Sequence, residues 1–277
     1  MILTSKFKAL LKLIAIKLSG SLPDRIYFDL YKRYNLIKKI DLAYSCENGF
    51  VWVESKKDNL VWCTNRSRAN YYNSGLLERG RSIGKSYLLD YIDFNSEDLI
   101  VDCGANMGDL QLYFHQKDMK IRYLGIEPNP ADFKCLERNL LDGAKALNIG
   151  LWNSESIMDF YVDKFSSSSS LIEPPKYSKI ISVITKRLDQ LQLGSNIKLL
   201  KVEGEGAEPE IIEGCANSLA NVEYVTIDVG PERGVEQSPT RNSVIRLMKK
   251  YNYSIVKENP WHRKTILFRN KLFRPII

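Results

Sequence analysis

From Leu99 onward the chain alternates short apolar runs with amphipathic segments. That alternation restricts it to a parallel sheet with helices on both faces. The runs are "LIVDCG", "RYLGIEP", "ALNIGLW", "IKLLKVEG", "EYVTIDVG", "YSIVKE" and "TILFRN". Between them lie the helical patterns "MGDLQLYFHQKD", "NPADFKCLERNLLD", "EPEIIEGCANSLA" and "TRNSVIRLMKKY". Two late strands close the series, the last of them able to run antiparallel, so the expectation is an α/β fold with a seven-stranded, doubly wound sheet. The chain has 277 residues, 44% of them hydrophobic, enough for one such core and a smaller appendage, since single cores stop growing near ~250–300 residues.

The appendage is expected over residues 1–95, with the main domain over 96–277. In "KFKALLKLIAIKLSG", Phe7, Leu10, Leu11, Ile14 and Leu18 form one helical stripe flanked by lysines. This is the pattern of an amphipathic helix that docks on protein or lies on an anionic membrane surface. Lys12 and Lys17 interrupt the stretch, which argues against a cleaved signal peptide. No run is long and apolar enough to span a bilayer. "GFVWVES" and "NLVWCTN" read as two strands of a hairpin, and "SIGKSYLLDYID" as a helix leading into the main domain.

The formal charge of +7 suits either acidic partners or plain solubility. Its basic residues are dispersed, with no basic stripe interleaved with aromatics, so nucleic acid is not the expected partner. Five cysteines, odd in number and without a C-x-x-C pair, fit a reducing cytoplasm better than a disulfide framework or a zinc site. Two histidines leave few transition-metal ligands. Carboxylates could still hold a divalent ion, but nothing in the pattern marks a metal site, and nothing in the sequence sets the oligomeric state.

The turn "DCGANMG" after the first apolar run is the strongest local signal. In open α/β sheets ligands bind beside this turn, at the carboxyl ends of the strands. Gly104 and Gly108 bracket it, with Asn106 between them, and the following helix aims its first amides at the site. The spacing is G-x-x-x-G rather than the dinucleotide G-x-G-x-x-G, and Asp102 precedes it. A carboxylate there repels a pyrophosphate but suits a ligand with a positive amine, as at the methionyl end of S-adenosylmethionine. Glycines also occur in plain strand-to-helix turns. The second run ends in Glu127, about twenty residues further on, where an acid accepts hydrogen bonds from ribose hydroxyls. Asn129 follows it, and Asn148 on the third run falls near an adenine.

At "LLKVEGEGAEPEIIEGC", taken with "VDCGANMG" and "GIEPNP", the chain resembles the FkbM family of S-adenosylmethionine-dependent methyltransferases. The family pattern is approximately L-K-I-D-V-E-G-A-E, which Lys201, Glu205, Gly206, Ala207 and Glu208 match. The resemblance spans roughly residues 95–270. It implies a class I methyltransferase (Rossmann-like) fold, S-adenosylmethionine as cofactor, and a hydroxyl acceptor such as a sugar of a surface glycan or a related metabolite. Two positions depart: Glu203 stands where the family usually has Asp, and Gly204 where it has an apolar residue. These changes leave open a module that binds the nucleoside without turnover. A methyltransferase acting on RNA or protein is a further alternative.

Methyl transfer to a hydroxyl needs in-line positioning and a route for the departing proton. Glu203 is the first candidate base or ion ligand, Asp228 the second, and His262 in "ENPWHRK" a third. Glu205 joins Asp102, Gly104, Asn106, Gly108, Glu127, Asn129 and Asn148 as a cofactor-binding candidate. Glu208 reads equally as an acid complementing the dipole of the helix it opens, and His115 as structural. Trp261 could stack on a sugar face or pack in its loop. The serine run Ser166 to Ser170 falls in a long insertion that reads as a lid or a plain loop. Methylated glycans are often assembled at the cytoplasmic membrane face, which would give the amphipathic N-terminus a purpose.

Overall fold

The computed structural model describes residues 22–23, 26–29, 42–47, 50–55, 60–163, 168–194, 196–259 and 263–274. The expected amphipathic helix, Trp261 and His262 lie outside them. The chain divides into two compact units, Met1–Gly75 and Leu76–Ile277.

In the first unit, β1 (Leu42–Glu47), β2 (Phe50–Ser55) and β3 (Leu60–Cys63) form an antiparallel sheet in that order. The expected hairpin is thus extended by one strand. Val51, Val53, Val61 and Cys63 are buried, while Trp52 meets its cross-strand neighbour Trp62 with ring centroids 4.9 Å apart. A short helix, α1 (Arg66–Ala69), follows; the Asn65 side chain caps it by accepting from the Arg68 amide at 3.1 Å.

The second unit opens with α2 (Leu76–Ser86), so the boundary falls earlier than residue 95. Arg79 Nε donates to Asp109 Oδ2 at 2.7 Å, tying α2 to the ligand-edge turn of the main sheet. Leu88 takes a left-handed conformation (φ 60°), which ends the helix before the position expected from the sequence.

The main sheet has the order β14-β15-β11-β10-β4-β5-β6. Its strands are β4 (Leu99–Cys103), β5 (Arg122–Ile126), β6 (Lys145–Leu147), β10 (Ile197–Val202), β11 (Val222–Asp228), β14 (Tyr253–Asn259) and β15 (Thr265–Asn270). All neighbours from β11 to β6 are parallel, and β15 runs antiparallel to both β11 and β14. This is the expected doubly wound sheet with its reversed last strand. The connecting helices are α3 (Gln111–His115), α4 (Pro130–Asn139), α5 (Glu208–Gly214) and α6 (Arg241–Lys250).

Two apolar cores flank the sheet. Leu99, Val101 and Cys103 of β4 pack with Ile211 and Ile212 of α5 and Val244 and Met248 of α6. Ile100 instead joins Ile83, Leu110, Tyr113, Phe114 and Leu136 on the other face. The strand is buried on both sides, as a central parallel strand must be, which is why its sequence is a continuous apolar run.

"ALNIGLW" is not one strand. Lys145–Leu147 stays in the main sheet, whereas β7 (Gly150–Leu151) pairs with β9 (Lys179–Lys186), which also pairs antiparallel with β8 (Ser156–Val162). The divergence starts at Asn148, whose amide is used on the carbonyls of Glu127 and Pro128 at 2.8 and 3.1 Å. The insertion is therefore a small sheet, not a bare loop. Ser170 anchors it: its hydroxyl donates to the Glu205 carbonyl at 2.9 Å and accepts from the Ile172 amide at 3.0 Å.

Candidate active site

Parallel registers put Asp102 of β4 opposite Lys201 of β10, and Lys201 opposite Thr226 of β11, so the tips of the central strands form one edge. The turn leaving β4 is built for close approach. Gly104 and Gly108 have φ of +73° and +85°, and a Cβ on Gly104 would lie 2.1 Å from the Glu203 carbonyl oxygen. Only glycine fits there. Asn106 also takes a left-handed conformation, with φ 52°.

The tip of β5 pins this turn. The amides of Gly104 and Ala105 both donate to the Ile126 carbonyl at 3.0 Å. The amides of Asn106 and Asn129 donate to Glu127 Oε2 and Oε1, each at 2.8 Å. One acid thus clamps the turn on one side and the start of α4 on the other. Burial, aided by the nearby charge of Asp132, pushes the Glu127 carboxyl up to about 8; the two amides offset this only in part. Asn129 caps α4, its side chain accepting from the Ala131 amide at 3.1 Å. The side-chain oxygen of Asn106 is buried and has no hydrogen-bond partner.

Asp102 is fully enclosed. Tyr123 donates to its Oδ2 at 2.7 Å, and the Lys201 ammonium meets its Oδ1 at 2.9 Å. Lys201 also reaches the Gly104 carbonyl at 2.8 Å and Glu203 Oε2 at 3.1 Å. Burial works against the lysine's charge, but Asp102 outweighs it and holds the ammonium above its ordinary range. The sequence motif contained Lys201 without disclosing this role. Beside the turn, burial pushes the Cys103 thiol up to about 12, so it is no nucleophile at neutral pH.

Glu203 sits between cations. Arg263 pairs with its Oε1, while Tyr87 donates to Oε2 beside Lys201. Both Glu203 oxygens are engaged. Arg263 Nη1 also bonds the Tyr87 hydroxyl at 2.8 Å and Asp228 Oδ2 at 3.1 Å. Asp228 accepts from the Gly230 amide at 3.1 Å, and burial pushes its carboxyl up to about 6.

Glu208 is structural as placed: buried at the start of α5, its Oε1 accepts from the amides of Gly204 and Gly206, each at 3.0 Å. Glu205 has φ 50° and offers its carbonyl to Ser170. Tyr87, Tyr123, Arg263 and Glu232 were not singled out in the sequence. Glu232 lies in β12 (Pro231–Arg233), which pairs with β13 (Ser238–Pro239), and the only signal for it was an acid just past the Gly-Pro turn in "DVGPER". Among the described residues no group of three His, Cys, Asp or Glu is arranged to hold a metal ion.

The family described as "Methyltransferase FkbM domain" matches residues 102–255. Methyltransferase sdnD of Sordaria araneosa is 29% identical over 189 residues, covering 53% of this chain and 73% of that protein. Methyltransferase 1 of Beauveria bassiana (strain ARSEF 2860) is 31% identical over 159 residues, covering 48% and 63%. Among solved structures, the FkbM methyltransferase of Methylobacillus flagellatus KT aligns over 73% of this chain with a TM-score of 0.47 and 15% identity. The chain spans about half, 52%, of that protein's length. The match runs from the acid that ends β4 through the β10 and β11 tips that carry Lys201, Glu203 and Asp228. The chain belongs to the FkbM methyltransferase family.

Proposed function

We propose that the protein transfers a methyl group from S-adenosylmethionine to an oxygen, a sugar hydroxyl of a glycan or a related metabolite. S-adenosylmethionine carries a methyl on a sulfonium, an electrophile that needs only an aligned nucleophile about 3 to 3.5 Å away. The groups around the β4 turn fit this donor. The ionised Glu127 carboxylate and the Asn106 Oδ1 offer acceptors, and the donor presents hydroxyls and an ammonium. Each Glu127 oxygen holds one backbone amide, which leaves lone pairs for a ribose diol. The observation that carries the reading is the buried, unpartnered Asn106 Oδ1 beside that carboxylate, since buried polar atoms are rarely left unpaired.

In this reading Glu127 orients the ribose, the Asn106 oxygen takes the donor's ammonium, and Asp102, paired with Lys201, fixes the end of β4 from which the turn springs. Asn148 and Asn129 fix the loop against which the adenine lies. Tyr87, Asp228 and Arg263 face the acceptor with hydrogen-bonding groups matched to a polyol. An N-terminal amphipathic helix would hold the enzyme at a membrane where lipid-linked glycans are made.

The test is incubation with methyl-labelled S-adenosylmethionine and a panel of mono- and oligosaccharides, free and lipid-linked, with products read by mass spectrometry. Methyl ethers stable to alkali support the reading; label in carboxyl esters, protein or RNA alone would contradict the oxygen-on-sugar part of it. Deleting the first twenty residues should release the protein from anionic vesicles, and unchanged binding would remove the membrane role.

A further inference from the structure

We propose that Glu232 is the general base of this site, taking the acceptor's proton, and that Asp228 is its partner in a carboxylate pair. This rests on the methyl-transfer reading and adds a residue to it. Three observations carry the assignment.

The first is position. β11 ends at Asp228, and the chain turns back through Val229 and Gly230 into β12 at the same strand edge. A Cβ on Gly230 would lie 3.2 Å from Glu232 Oε1 and 3.3 Å from Asp228 Oδ1, so the two carboxylates face each other across that glycine. β12 is held there because Gly206 packs against the Arg233 backbone and Arg233 Nη1 donates to the Gly206 carbonyl at 2.6 Å.

The second is availability. Four acids along this edge already have donors: Asp102 has Tyr123 and Lys201, Glu203 has Arg263, Tyr87 and Lys201, Glu208 has the Gly204 and Gly206 amides, and Asp228 has Gly230 and Arg263. Glu232 is half-buried, and among the described residues no hydrogen bond or ion pair reaches it. A carboxylate whose lone pairs are unused is the one able to receive a proton.

The third is its electrostatic setting. Asp228 faces Glu232 from β11 and Glu208 from α5, with Arg263 and Lys201 beyond Asp228. The cation next in the chain, Arg233, turns away to Glu210 at 2.6 Å. Burial and those two like charges push the Glu232 carboxyl up to about 8, so it holds its proton more tightly than Asp228 at about 6.

In the step, the acceptor oxygen bonds to the methyl carbon as that carbon's bond to sulfur breaks with the pair left on sulfur. The O–H proton passes to a Glu232 oxygen and leaves to solvent after product release. The Gly230 amide and the Lys201 ammonium favour the ionised form of Asp228 against its burial, and Glu232's own burial together with that negative charge keeps Glu232 basic.

Carboxyl-directed 13C NMR of the purified protein tests the pair without any acceptor. A glutamate resonance titrating near 8 should persist in Glu127→Gln and vanish in Glu232→Gln, and its midpoint should fall in Asp228→Asn, where the facing negative charge is gone. A Glu232 titration in the ordinary carboxylate range, or a Glu232 midpoint unmoved by Asp228→Asn, would overturn the pairing. With an acceptor from the saccharide panel, Glu232→Gln should lower kcat by about 10²–10⁴-fold and flatten its rise with pH, leaving the affinity for S-adenosylmethionine unchanged. Glu232→Asp should restore part of both. A Glu232→Gln enzyme with wild-type kcat and pH profile would overturn the base assignment while methyl transfer stands; failure of the wild type to bind S-adenosylmethionine would instead remove the methyl-transfer reading, with the NMR result still deciding the pair.

Discussion

Lys201 is the residue on which the strand edge depends. Its ammonium compensates Asp102 and Glu203 at once, inside a site where an unpaired charge is costly. Lys201→Met should lower stability by about 3–5 kcal/mol in chemical unfolding, and adding Asp102→Asn should recover part of the loss, because the stranded charge is gone. Glu127 makes a pH-dependent contribution of known sign. Its folded carboxyl is raised from the ordinary 4.5 to about 8, so the stability it contributes is complete below the lower value and lost as pH rises through the upper one. Urea unfolding midpoints taken across that window should fall with pH in the wild type and fall less in Glu127→Gln. Neither behaviour was legible in the sequence. The motif letters placed Lys201 and Glu127 at strand tips, but which charges they face depends on the register between strands far apart in the chain.

At the scale of elements, the departure at Gly204 has a local cause. A Cβ there would come within 2.6 Å of Ile211 Cδ1 and 3.2 Å of the Ala207 Cβ, so the first turn of α5 fills the space that an apolar side chain would need. Gly204→Val should cost about 1–3 kcal/mol by overpacking, and Ile211→Val in the same chain should return part of it. Apolar periodicity read the central strands well, because β4, β10 and β11 are buried on both faces and their sequences are predominantly apolar. It failed where the signal was weak. β8 and β9 alternate buried with exposed residues, and the sequence between them reads as a loop until Tyr161 is seen to bridge to Ser170. Ser170→Ala should cost about 0.5–1.5 kcal/mol and speed hydrogen exchange over residues 170–178, with donor binding unchanged. Unaltered exchange would mean that the hydroxyl does not anchor the small sheet.

For the whole molecule, a doubly wound sheet with a reversed last strand places its acids and its close-approach glycines along one edge, which accounts for the position of the site. Among the described residues no helix is long and apolar enough to cross a membrane, and all five cysteines are free thiols. The central claim is that the β4 turn and Glu127 hold the methyl donor. Calorimetric titration with S-adenosylmethionine, repeated in buffers of different ionisation enthalpy near neutral pH, tests it most directly. Glu127 is largely protonated there, and hydroxyls donating to it favour the ionised form, so binding should release up to about one proton. Glu127→Gln should abolish that release and weaken binding, and Asn106→Ala should weaken binding with the release intact. Absence of binding, or binding with the same proton balance in wild type and Glu127→Gln, would contradict the account.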